Sequence, residues 1–565
     1  MPVIPWVERK TDPALQSELI TSGIAPLMAR VLAARQGHRN DMALPLLQEL
    51  LPLDTLKGVS EAAGYLADAV EQGRKILVVA DYDADGATAC AVALKALRAM
   101  GGVVDYFVPN RMTLGYGLTP AVVEAVLHRE PRLLLTVDNG ISSVEGVEAA
   151  NRHGIPVIVT DHHLPGLQLP DALAIVNPNQ PGCGFASKHM AGVGVLFYTM
   201  LAVRAELRRR GRWQSVTEPS LGGLLDLVAL GTVADVVRLD RNNRLLVQAG
   251  LRLVRSGRAN PGIRALCQVA GRVERELSST DLGFFLGPRL NAAGRMEDMT
   301  HGIECLVCGH LDQALPLAQR LDEFNRDRRQ VEGTIQEEAL AELESTDVHD
   351  RYSLVLFDER WHPGVVGIVA SRLKDRYHRP VVVFSRGTQP GEIRGSGRSI
   401  RGFHLRDAIE RVATRIPGLV LRFGGHSAAA GLSLQDDGLS RFAECLEDVA
   451  RDMLGPEDLE LEVEHDGVLA AEDMTLPVAE TLKAQVWGQG FPEPLFFGRF
   501  SVRHQRIVGE RHLKVLLACE GREFDGICFG QGEPVPDTIE VLYRLSVNEW
   551  RGERRVQVEV CHWRV

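Results

Sequence analysis

Residues 75–94 read KILVVADYDADGATACAVAL. KILVVA is a continuous apolar, β-branched run, the pattern of a strand buried on both faces. Asp81, Asp83, Asp85 and Gly86 follow it as D-x-D-x-D-G, the opening of an EF-hand calcium loop. The twelfth position of such a loop needs a bidentate Glu, and Val92 stands there. An EF-hand is also entered from a helix, not from a buried strand. Three carboxylates at the end of a strand therefore need another explanation.

Outward from this stretch the chain alternates strand and helix. GATACAVALKALRAM reads as helix, GVVDYFVP as strand, AVVEAVLHRE as helix and RLLLTVD as strand. SVEGVEAANRHG is again helical and PVIVTD a strand. That rhythm predicts right-handed crossovers and a parallel sheet covered on both faces. Polar residues follow each strand: Asp81 to Asp85, then Asp138 and Asn139, then Asp161, His162 and His163. In an open parallel sheet, ligands gather at the carboxyl ends of the strands. The three clusters are thus predicted to converge, and Asp235 in LVALGTVADVV is placed to join them.

Length and composition agree with a large protein of several domains. The 565 residues are 45% hydrophobic and 24% charged. No run reaches the eighteen or so apolar residues of a membrane helix. The first residues lack a secretion signal, and nine scattered cysteines argue against a disulfide framework, so the cytoplasm is the expected location. CLVCGH (Cys305, Cys308, His310) looks like half a zinc site, but no second half follows and its flanks read as helical core. The net charge of −11 is uneven: residues 372–415 hold eleven Lys/Arg against four acids, residues 436–473 fourteen acids against two arginines. The first segment suits a phosphate-binding groove; two differently solvated faces explain it equally well.

LDEFNRDRRQVEGTIQEEALAELEST, near 321–346, reads as a charged connecting helix. YSLVLF, VVGIVASRL and PVVVFS then begin a second α/β unit. From about 460, short β-rich runs such as FGRFSVRHQRIVG and RRVQVEVCHW predict a small barrel of the OB type. Carboxylates with one or two imidazoles suit Mn²⁺ or Mg²⁺ better than zinc. Five or six ligands exceed the needs of one ion with an open position, so two ions about 3.5–4 Å apart explain the count. The chemistry indicated is two-metal phosphoester hydrolysis.

DYDADGAT, VDNGIS, DHH and GTVAD resemble, in order, the four motifs of the DHH phosphoesterase superfamily, and FGGHSAAAGL the glycine–histidine motif of its DHHA1 domain. PNRMTLGYGLTP, GPRLNAAGRM and WHPGVVGIVASRL are similar to segments of the bacterial RecJ family, single-strand-specific 5′→3′ DNA exonucleases. The resemblance spans nearly the whole chain. It implies an N-terminal extension over 1–50, a DHH domain over 51–320, a connecting helix over 321–346, a DHHA1 domain over 347–455 and an OB domain over 456–565.

The resemblance also implies roles. Asp81, Asp83, Asp85, Asp138, His162 and Asp235 would hold two Mn²⁺ or Mg²⁺ ions, with Asp138 bridging. His163 would orient water or the scissile phosphate, and Asp161 would orient a histidine. Arg111, Ser396 and Arg398 would grip the 5′-terminal phosphate, and Arg289 a phosphate near the metals. Tyr116 would stack on a base or pack locally; His426 would touch the backbone without being catalytic. The implied setting is recombination and DNA repair, with a helicase and a single-strand-binding protein as partners. Phe491 departs from the family, which usually has Asn there. The alternatives are a short-oligonucleotide or cyclic-dinucleotide phosphodiesterase, against which the barrel and the basic segment speak, and a non-catalytic DNA-binding scaffold, against which the intact motifs speak.

Overall fold

The computed structural model of the chain describes residues 4–42, 47–110, 114–344, 348–387, 389–509, 511–550 and 552–565. They form two compact units. One comprises Glu8–Asp322 together with Glu464–Val565; the other is built on Glu323–Val463 with the first few residues.

In the first unit the apolar run becomes β1 (Ile76–Ala80), fully buried as its composition demands. α1 (Ala84–Ala99), β2 (Val104–Phe107), α2 (Pro120–Val126), β3 (Leu133–Val137), α3 (Val144–Arg152), β4 (Val157–Thr160) and β5 (Ala174–Val176) follow. The sheet is parallel throughout, in the order β2-β1-β3-β4-β5. The order reverses between β1 and β3, so the crevice expected of an open α/β sheet lies at their carboxyl ends. α4 (Gly192–Arg209), α5 (Leu225–Ala234) and α6 (Gly287–Met296) complete the surroundings of that end.

The same unit holds a closed five-stranded barrel. Its strands are β11 (Phe496–Val508), β12 (His512–Cys519), β13 (Arg522–Cys528), β14 (Thr538–Trp550) and β15 (Glu553–Arg564), in the order β11-β12-β13-β15-β14. β13 and β15 pair in parallel and close it, the OB arrangement. A buried bidentate pair, Arg35 to Asp466 at 2.6 and 2.8 Å, ties the N-terminal residues to the approach of the barrel. Phe491 stacks on Trp487, centroids 5.4 Å apart, and lies under the Arg244 guanidinium at 4.0 Å. This is a packed aromatic role that an amide side chain does not fill.

α7 (Leu311–Glu344) starts ten residues before the charged stretch that announced it. Pro316 lies inside it, in the second turn, and gives up one i→i−4 hydrogen bond without stopping the helix. CLVCGH lies at the end of a helix, with Cys305 buried, as its core reading requires.

In the second unit, β6 (Leu354–Phe357), α8 (Val366–Tyr377), β7 (Val381–Arg386), β8 (Glu392–Arg398), β9 (Val420–Gly425) and β10 (Ala429–Gln435) form a mixed sheet ordered β9-β10-β8-β7-β6. Much of the positive charge of 372–415 is committed internally. Arg372 pairs with Glu332, Arg394 with Glu392, Arg415 with Asp452 and Arg386 with Glu359, while Arg379 donates to the Arg351 and Leu459 carbonyls. No helix among the described residues is long and apolar enough to cross a membrane.

Candidate metal centre

The sheet continues its hydrogen bonding one residue beyond each strand. The N–H of Asp81 donates to Val137 O, that of Asp138 to Thr160 O and that of Asp161 to Val176 O, at 3.0–3.2 Å. Each acid is thereby fixed at a strand end before its side chain makes any contact. Asn139 ties two of these ends together, donating to the carbonyls of Val79 and Val137. Asp138 has φ 62°, a left-handed conformation uncommon for a residue with a side chain.

These ends bring the expected residues together. Asp81, Asp83 and Asp138 form one group whose ligand atoms lie within 4.8 Å of one another; Asp85, His162 and Asp235 form a second; Asp138, His162 and His163 form a third. His162 Nε2 is 3.2 Å from Asp138 Oδ1, 3.5 Å from Asp235 Oδ2 and 4.0 Å from Asp85 Oδ2. Asp235 caps the C-terminus of α5. Asp226, on the same helix, faces away: it accepts from Asn260 N at 2.6 Å and is structural.

Asp85 is set by the start of α4, where Gly192 N and Val193 N donate to its two oxygens at 2.6 and 2.9 Å. A carboxylate at a helix N-terminus also meets the favourable end of the helix dipole. Asp161 holds the histidine loop. Its Oδ1 accepts from the backbone N–H of His162 and His163 and lies 2.7 Å from His163 Nδ1, and its Oδ2 accepts from Ile141 N. The histidine it orients is therefore His163, leaving His162 to the carboxylates.

The electrostatics single the cluster out. Burial, then the neighbouring carboxylates, push Asp81 and Asp138 well above the usual carboxylate range. The same causes push Asp85 up to about 7 and Asp235 up to about 8. Burial alone would raise Asp161 too, but the His163 bond and both imidazoles bring it below its ordinary value. For His163, burial pulls down and the Asp161 bond more than restores it, to about 9. Burial and the adjacent His163 lower His162, so it stays neutral. Asp138 Oδ1 and His162 Nε2 are buried and have no hydrogen-bond partner among the described residues. Buried polar atoms are rarely left so. Repelling carboxylates around a neutral imidazole and two orphaned ligand atoms fit hard divalent cations with mixed O/N ligands, Mn²⁺ or Mg²⁺.

Tyr116 borders the cluster. Its ring meets Tyr82 and His163 edge-on, each at 5.9 Å, and its hydroxyl donates to Asp138 O at 3.3 Å. Arg289 is nearly buried, donates to Phe285 O and pairs with Asp322 at 2.8 Å, so a phosphate would have to displace Asp322. Arg111 lies outside the described residues. In the second unit, Ser396 and Arg398 neighbour each other on β8, Nη1 to Oγ 3.3 Å. The start of α8 lies against them, since a Cβ on Gly367 would fall 2.7 Å from Ser396 Oγ and 3.2 Å from Arg398 Nη2. His426 is exposed in the β9–β10 turn, where its N–H donates to Ala429 O; the small residues there do make a tight turn.

One feature escaped the sequence. On the outer face of the barrel, Arg506 lies opposite Lys514, Val508 opposite His512, and Phe529 follows Cys528 beside His512. Gly530 N donates to His512 Nδ1, fixing that ring edge-on against Phe529 at 5.3 Å, and Phe529 stays 59% exposed. Exposed apolar residues in an alternating strand were the available signal.

Comparison with known proteins agrees with this geometry. Family models described as DHH family, N-terminal domain, DHHA1 domain and RecJ OB domain match residues 75–232, 350–452 and 465–562. A single-stranded-DNA-specific exonuclease RecJ of Dickeya dadantii is 48% identical over 577 residues, covering 100% of this chain and 99% of the relative. Its counterpart from Escherichia coli is 48% identical over 550 residues, 95% of each chain. A crystal structure of RecJ in complex with Mn²⁺ from Thermus thermophilus superposes with TM-score 0.82 at 31% identity, covering 99% of this chain and 79% of that one. The Mg²⁺ complex from the same organism gives 0.76 at 29% identity, covering 99% and 78%.

Proposed function

The chain belongs to the RecJ family of single-stranded-DNA-specific exonucleases, and on that premise we propose that it hydrolyses single-stranded DNA from the 5′ end, releasing mononucleotides with two Mn²⁺ or Mg²⁺ ions. The observation that carries this reading is the convergence of two acidic groups, Asp81–Asp83–Asp138 and Asp85–His162–Asp235, around Asp138 Oδ1 and His162 Nε2, buried atoms with no hydrogen-bond partner among the described residues. Asp81, Asp83, Asp85, Asp138, His162 and Asp235 would hold the ions, Asp138 between them. Such a pair supplies activated water near neutral pH and offsets charge on the attacking and leaving oxygens.

The remaining groups act by position. His163, its Nδ1 held 2.7 Å from Asp161 Oδ1, is placed beside the cluster to orient water or a phosphate oxygen. Tyr116 borders the cluster as a surface for a base. Ser396 and Arg398 would hold the terminal phosphate, the guanidinium gripping its oxygens in pairs. On the barrel, Phe529 and His512 offer a face on which bases stack without being read, and Arg506 and Lys514 offer charge to the backbone. Recombination and DNA repair in the cytoplasm, after a helicase exposes the strand and beside a single-strand-binding protein, is the setting that suits this activity.

The test uses single-stranded DNA of a few dozen nucleotides labelled at either end, with Mn²⁺ or Mg²⁺, and Asp138→Ala beside the unaltered protein. Early release of 5′-labelled mononucleotide, intact duplex and an inert variant are expected. Cleavage of dinucleotides alone would favour the smaller phosphodiesterases, and binding without cleavage a scaffold.

A further inference from the structure

The metal loop is held at one point by a residue outside the four DHH motifs, in the segment GPRLNAAGRM. α1 starts at Ala84, with Asp83 as its N-cap accepting from Gly86 N at 3.0 Å. The first amides of a helix have no partner within it. Here the N–H of Ala84 donates to Asn291 Oδ1 at 2.8 Å, from α6 and 207 residues further along the chain. One turn on, Gly294 brings the backbone of α6 directly against the loop: a Cβ there would lie 1.8 Å from Tyr82 O. Asn291 and Gly294, spaced i, i+3, share a face of α6. That face therefore grips Tyr82 to Asp85 by one hydrogen bond and one backbone contact, and the bonded amide lies between Asp83 and Asp85.

We infer that Asn291 is a positioning residue for the divalent ions: its acceptor oxygen fixes the peptide between Asp83 and Asp85 in the ion-binding arrangement before any ion arrives. The inference rests on the reading of those aspartates as ligands. Without the acceptor, the Ala84 amide turns to water and the two carboxylates must be reordered at each binding event. Residues that orient metal ligands typically control affinity by about 10–100-fold.

Binding of Mn²⁺ without DNA, followed by the electron paramagnetic resonance of the free ion, reads this directly. Asn291→Leu keeps the shape and removes the acceptor; Asn291→Asp keeps the acceptor and removes the amide. The leucine variant is expected to bind Mn²⁺ about 10–100-fold more weakly, and the aspartate variant within a few-fold of the unaltered protein. Circular dichroism in EDTA checks folding, and Asn291→Ala carries the same expectation should leucine not be accommodated. Unchanged affinity in the leucine or alanine variant overturns the inference and leaves the ligand assignment standing. Equal weakening in the leucine and aspartate variants overturns it as well, since packing would then matter and not the acceptor. No Mn²⁺ binding by the unaltered protein sinks the ligand assignment and this inference together.

Discussion

Gly192→Ala adds one methyl group at the first residue of α4. The added Cβ would lie 2.5 Å from Asp138 Oδ1 and 2.7 Å from both Cβ and Cγ of the same side chain. An ordinary contact begins at about 3.4 Å, so roughly 1 Å must be found between helix and carboxylate. Asp138 cannot supply it cheaply, because it is buried, left-handed at φ 62° and bonded through its N–H to Thr160 O. The helix cannot retreat without loosening Gly192 N from Asp85 Oδ2, now at 2.6 Å. Overpacking of this kind costs about 1–3 kcal/mol, and a displacement of about 1 Å at reacting groups costs about 100-fold in rate. Gly194→Ala, two residues on, is the comparison, since its Cβ meets the mobile end of Met190 at 3.2 Å. Thermal melts in EDTA and cleavage of 5′-labelled single strands at saturating Mn²⁺ read both effects. Gly192→Ala should lose stability and about two orders of magnitude in rate, and Gly194→Ala little of either. A Gly192→Ala protein cleaving at the unaltered rate would refute the steric argument.

Asp226, raised to about 6 chiefly by burial, keeps its proton in the fold up to about pH 6, while its unfolded counterpart ionises near 3.8. Its effect on stability is therefore neutral below pH 4 and grows unfavourable to pH 6, by on the order of 2–3 kcal/mol. Asp226→Asn should flatten urea-measured stability across that window, and an unchanged slope would count against the shift. Arg35→Ala removes the bidentate partner of the buried Asp466 carboxylate, leaving it Arg9 Nε at 3.8 Å and the Leu495 N–H, and should cost about 3 kcal/mol, while Arg35→Met with Asp466→Leu should recover much of it; chemical denaturation of the single and double variants decides. Phe529→Ala should weaken single-strand binding by about 1–3 kcal/mol. Arg506→Gln should reduce the salt slope of that binding by about 0.7, whereas titrations unaffected by both would remove the barrel face from the DNA path.

What the sequence made legible was local. KILVVA, RLLLTVD and PVIVTD declare buried parallel strands, and each is followed at once by its acids, so the meeting of Asp81, Asp138 and His162 follows from sheet geometry. What stayed hidden depends on contacts across hundreds of residues. Nothing near Arg289 announces Asp322 as its partner, and nothing near Ala84 announces Asn291. The positive block at 372–415 left two readings open because its acidic partners, among them Glu332, Glu359 and Asp452, lie outside it. Phe529 and His512 become neighbours only once the β12–β13 register is known. The early start of α7 was masked by Pro316, which normally marks an interruption.

The left-handed backbone at Asp138 has an evolutionary consequence. Only Gly, Asn and Asp enter that conformation readily, so the position is filtered twice, once by chemistry and once by shape. A descendant that had lost its ions would be released from the first filter and still held by the second. It would drift to Asn or Gly, or keep Asp, far more readily than to Ala or Val. An aspartate retained at this place is accordingly weak testimony to catalysis, whereas Asp235, at the helical end of α5 with ordinary backbone, is free to vanish once chemistry no longer needs it. Among degenerate members of the lineage, decay should be read first at Asp235.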